Sequence, residues 1–194
     1  MIAEESQPIE GLKVASITAD ALTEALRVLI EEVYVGPPDP KATWVTTNAP
    51  NSGVIGTLES IPFNLASQPP GPGMHTIAAH AAHLLFSLRL ACRSMKGEDA
   101  YANVNWSESW RIPAVDEESW QELKSNLRCV HADLLAALPG NLPWDDGDFL
   151  KGVISLVGHG AYHLGAIRQI QRELTSGQFG RPDPETIGIS QLMN

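Results

Sequence analysis

Apolar residues recur through this chain at intervals of three and four, and no stretch alternates apolar with polar at period two. That spacing lines one face of a helix, whereas a half-buried strand needs strict alternation. The chain is therefore restricted to an all-α fold. Ala21, Leu22, Ala25, Leu26, Leu29, Ile30 and Val33 mark a first helix within residues 16–36. Thr18 or Asp20 can cap its start, and Gly36 ahead of "PPDP" stops it. "VIGTLESIPFNLAS" reads as a second helix, broken or kinked near Pro62. A long run over residues 73–96 follows the turn "QPPGPG". After a polar loop carrying Trp106 and Trp110, a further helix starts at a capping signature, Asp116 and Ser119 ahead of Glu122, and ends at Pro139-Gly140. The last long helix occupies 148–174.

The 194 residues suffice for one substantial domain. It is expected over 16–176, between tails at 1–15 and 177–194. A net charge of −10 argues against nucleic acid and anionic membrane surfaces as partners, since both need a basic footprint. No stretch approaches the roughly 18 apolar residues of a membrane span, and the N-terminal residues do not read as a signal peptide. Cys92 and Cys129 sit in apolar helical stretches and read as buried free thiols. Together these features predict a cytoplasmic protein.

The chemically telling stretch is "VGHGAYHLGAIRQ", residues 157–169. At about 100° per residue, Leu156, His159, His163, Ala166, Ile167 and Ile170 share one stripe, with Arg168 and Arg172 opposite. Both histidines therefore face the core, one turn apart, as two ligands of one metal ion require. The zinc-protease pattern does not apply, because Gly160 rather than Glu follows His159. Gly158, Gly160 and Gly165 are costly inside a helix and indicate close packing or room for a ligand.

A third ligand can come from residues 73–96, which offer His75, His80 and His83. Ile77, Ala81, Leu84, Leu88 and Met95 mark the core side of that helix, and the periodicity slightly prefers His80. Three histidines with an open fourth position suit a catalytic divalent metal. His131, with no partner four residues away, reads as an ordinary, partly exposed histidine. The tryptophans at 44, 106, 110, 120 and 144 read as loop anchors and core, with Trp44 or Trp106 able to line a pocket mouth.

"TIAAHAAHLLFSLRLACRSMKGE", the two following tryptophans and "GVISLVGHGAYHLGAIRQIQR" resemble the DinB-like superfamily of metal-dependent enzymes, over roughly residues 50–175. The resemblance implies a four-helix bundle in up-down-down-up order, here with an additional N-terminal helix over 16–36. It implies a divalent metal, usually zinc or nickel, held by His83, His159 and His163, with His80 either behind the ligands as a supporting partner or on the substrate side. Many relatives read H-N-x-Y-H-x-G-Q, whereas this chain has Gly160 for the Asn and Ala166 for the Gln. Some members use low-molecular-weight thiols as co-substrates. The expectation is a thiol-dependent S-transferase or a hydrolase acting on a small molecule, with His80 and Tyr162 as candidate general bases and a homodimer as the assembly. The alternatives are a non-catalytic metal-binding or stress-response module, or a plain helical protein.

Overall fold

The computed structural model describes residues 16–112 and 114–176. The tails expected at 1–15 and 177–194 lie outside the described residues. The described residues form six helices, α1 (Ala19–Tyr34), α2 (Val54–Glu59), α3 (Phe63–Ala66), α4 (Ile77–Met95), α5 (Glu117–Ala137) and α6 (Gly147–Ser176), with a 3-10 turn at Glu108–Trp110. There is no strand among the described residues, and none of the described helices is long and apolar enough to cross a membrane.

Local chemistry sets the helix starts. Thr18 Oγ1 accepts from the Ala21 N–H at 3.2 Å, and Thr76 Oγ1 accepts from the Ala79 N–H at 3.1 Å. Asp116 and Ser119 form a reciprocal capping box at the head of α5. The Thr76 cap makes α4 begin at Ile77, not at 73, so His75 precedes the helix. The segment 54–67 is two short helices, because Pro62 ends the ladder and opens α3 as its N-cap. The long helices are thus α1, α4, α5 and α6, and α1 is part of the packed core: Ile30, Val33 and Tyr34 are fully buried.

The core runs between these helices through Leu84, Leu88, Trp120, Leu127, Leu134 and Ile167. Trp120 is fully buried and donates its indole N–H to the Ile61 carbonyl at 2.8 Å, tying α5 to the α2–α3 corner. At Gly160 a β-carbon would fall 2.5 Å from Val33 Cγ1, so only glycine lets α1 approach α6 this closely. Gly158 and Gly165 meet no such neighbour.

Two expectations are corrected here. His131 is buried, not partly exposed, with its ring centroid 5.5 Å from that of Tyr34 on α1. Cys129 is exposed; only Cys92 is a buried thiol.

Candidate metal centre

The direction of two helices brings the histidines together. His80 on α4 faces His163 on α6, and His83 faces His159, so α4 and α6 run antiparallel. The 96–116 connection then returns along α4. Tyr101 lies beside Met95, Trp106 beside Phe86 and Trp110 beside His75, bringing the 3-10 turn back over the histidines.

Three ring nitrogens converge. His159 Nε2 lies 3.1 Å from His83 Nε2 and 2.9 Å from His163 Nε2. One ligand atom from each of His83, His159 and His163 falls within 4.8 Å of the other two. Three nitrogens about 2.1 Å from a tetrahedral metal would stand roughly 3.4 Å apart, so a small outward relaxation would admit the ion. His83 and His163 are buried and His159 is half-buried.

The outward nitrogens have partners that set the tautomers. Ser109 Oγ donates to the Trp106 carbonyl at 2.7 Å, leaving its lone pairs to accept from His83 Nδ1–H at 2.6 Å. That proton on Nδ1 leaves His83 Nε2 a free donor of electrons. His163 Nδ1 lies 2.8 Å from His80 Nδ1. With His163 Nε2 turned to the cluster, its Nδ1–H donates to His80. This is the arrangement in which metal-binding histidines are held by outer partners.

Burial first, and then the neighbouring histidines, depress the ring pKa values. His83 falls to about 4 and His163 to about 3. Burial and His75 bring His80 to about 4, and burial lowers His159. All four rings are therefore neutral at pH 7, the state in which imidazole binds a metal.

Trp110 stacks on His83 with centroids 4.1 Å apart and on His75 at 4.3 Å, making a three-ring sandwich that fixes the His83 plane. A cavity of about 500 Å³ opens beside the cluster, lined by His83, His159, Trp106, Tyr101, Ser87 and Leu156. That volume is within the usual range for small-ligand pockets. Of the other site residues expected from the sequence, His80 lies behind His163 and does not line this cavity, and Trp44 is an exposed loop residue. Tyr162 is 69% exposed and packs edge-on against the His163 ring. Ser109 and Trp110 join the site without having been picked out as site residues, since their positions depend on the fold of a non-periodic loop.

A family model described as the DinB superfamily matches residues 53–167, from the head of α2 into α6 and across all four clustered histidines. No curated protein and no solved structure matches the chain. With most of its length under that model and the histidine cluster inside the matched region, the chain belongs to the DinB superfamily.

Proposed function

We propose that this protein is a metal-dependent enzyme in which His83, His159 and His163 hold one divalent ion, zinc or nickel, and that it transfers a low-molecular-weight thiol to a small electrophilic substrate. The observation that carries the reading is the convergence of three neutral imidazole nitrogens at the wall of a ligand-sized cavity. A structural site would be closed by a fourth protein ligand, whereas three histidines beside a cavity leave a position for a substrate atom. The bound ion supplies Lewis acidity, enough to hold a thiol as thiolate or to lower the pKa of a water toward about 7.

The chain's own residues do the rest. Ser109 and His80 hold the ligand rings in the required tautomers. Trp106, Tyr101 and Leu156 give the cavity an apolar wall against which a small substrate can pack. His80 acts through His163 as a positioning residue.

Metal analysis of protein purified without an affinity tag tests the reading. About one equivalent per chain is expected, lost in His159→Ala, together with thiol conjugation that requires the metal. Full metal occupancy with ester hydrolysis alone would move the protein to the hydrolase class. Absence of metal from the wild-type chain would overturn the proposal.

A further inference from the structure

A second cavity, of about 290 Å³, adjoins the one beside the histidines. The two share Tyr101, Asp148, Gly152 and Leu156 as lining residues. From there the second continues along α6 past Val153 and Phe149, against Met95 and Ala91 of α4. Gly152 is exposed and lines both cavities. A β-carbon there would meet nothing within 4 Å, so a side chain at 152 would project into open space beside both cavities. Glycine inside a helix costs up to about 1 kcal/mol against alanine, and at this position no close backbone approach explains it. From His159 to Phe149 the groove follows ten residues of helix, about 15 Å at 1.5 Å per residue.

Its walls are mostly apolar; the charged lining residues are Asp146, which lines the second cavity alone, and Asp148, which lines both. Lys151 pairs with Asp148 at 2.6 Å. Asp146 Oδ1 accepts from the N–H groups of Asp148 and Phe149 at 2.8 and 3.2 Å and caps α6. Lys151 is thus already taken by Asp148, and among the described residues Asp146 has no cationic side-chain partner, so a negatively charged ligand end would meet the Asp146 carboxylate with no free cation among the lining residues.

We infer that the two cavities form one substrate groove kept open by Gly152, and that it takes an elongated molecule with a metal-directed head, an apolar stem and a distal end that is cationic or neutral, never acidic. This deepens the proposed function and rests on its metal site for the head group. Gly152 is on this view a specificity-determining residue.

Three probes with a common thiol head and eight-carbon stem test it: ω-aminooctanethiol, ω-hydroxyoctanethiol and ω-mercaptooctanoate. Binding is followed by the change in intrinsic tryptophan fluorescence, to which Trp106 at the head end contributes. The carboxylate probe should bind about tenfold or more weakly than the other two. Gly152→Leu, in a helix with room for the side chain, should retain the wild-type circular dichroism and metal content. It should lose affinity for the amino and hydroxy probes while 2-mercaptoethanol binds as before. Equal affinity for the three tails, or long-probe binding unaffected by Gly152→Leu, would overturn the inference. Titrations are run on metal-loaded and metal-stripped protein. Failure of metal loading counts against the proposed function, and the tail and stem preferences, read in either form, count for or against the groove.

Discussion

His83 Nδ1 lies 2.6 Å from Ser109 Oγ, and that hydroxyl is itself committed to the Trp106 carbonyl at 2.7 Å. The serine can therefore only accept from His83, which fixes the imidazole with its proton outward and its Nε2 lone pair inward. Ser109→Ala removes the acceptor and leaves a buried N–H unpaired. Metal affinity should fall about 10–100-fold, read by competition with a chromophoric chelator. Ser109→Thr, which keeps the hydroxyl, should recover most of it. An alanine variant that competes as well as wild type would show that the hydroxyl does not orient the ring.

The depressed histidine pKa values predict a pH dependence for the metal-stripped protein. Unfolded histidine titrates near pH 6.5. Folded His80 and His83 titrate near 4 and His163 near 3, burial being the largest cause in each. As pH falls from 6.5 toward 4, the unfolded chain takes up protons that the folded chain refuses. The stability that these groups contribute is complete above 6.5 and is lost through that window, by up to about 1.4 kcal/mol per pH unit for each histidine. Urea unfolding at pH 7, 6 and 5 measures it. A flat profile above pH 5 contradicts neutral, desolvated rings.

How much of this was readable beforehand depended on how local each relationship is. His159 and His163 lie on one helix, so a spacing of four fixes their common face without knowledge of any partner. The third ring of the cluster lies on another helix, and His80 and His83 occupy one flank of it. Periodicity slightly favours His80; here both are buried, His83 at the cluster and His80 behind it, since the two positions differ by only about 60° on the helix. Ser109 and Trp110 depend on a loop folding back along α4, and loops carry no period to read. The misplacement of His131 and Cys129 is different in kind. Leu123, Leu127, Val130 and Leu134 trace the buried stripe of α5 at spacings of four, three and four. That stripe already puts position 131 inside, four after Leu127, and 129 outside; the lack of a partner four residues from His131 and the apolar neighbours of Cys129 point the other way.

The helical glycines should separate by their surroundings. Gly160→Ala would force a methyl to within 2.5 Å of Val33 Cγ1 and 3.0 Å of the Tyr34 ring. The cost expected for such overpacking is about 1–3 kcal/mol. Gly165→Ala meets nothing within 4 Å and should stabilise by up to about 1 kcal/mol through helix propensity alone. Paired denaturant melts decide it, and equal effects at the two positions would contradict the close contact between α1 and α6.

Glu32 is fully buried on α1, and its carboxylate gathers the backbone of the following loop. Oε1 accepts from the N–H groups of Val45 at 2.8 Å and Thr46 at 2.7 Å and from the Thr46 hydroxyl at 3.1 Å, while the Trp44 N–H lies 3.0 Å from both oxygens. Burial alone would raise the pKa of the acid, but these donors outweigh it and hold the value below the ordinary carboxylate range. The contribution of Glu32 is thus present at pH values above its unfolded pKa and is lost as pH falls through the lower, folded one. Glu32→Gln keeps the shape but sets an NH2 against N–H donors, and should cost about 1.5–3 kcal/mol at pH 7. At pH 3, below the unfolded value, part of that contribution has been lost, so the gap between the two proteins should narrow. Chemical denaturation at both pH values measures the difference. A gap that is constant between them would mean that the loop is held by shape, with no part played by the charge.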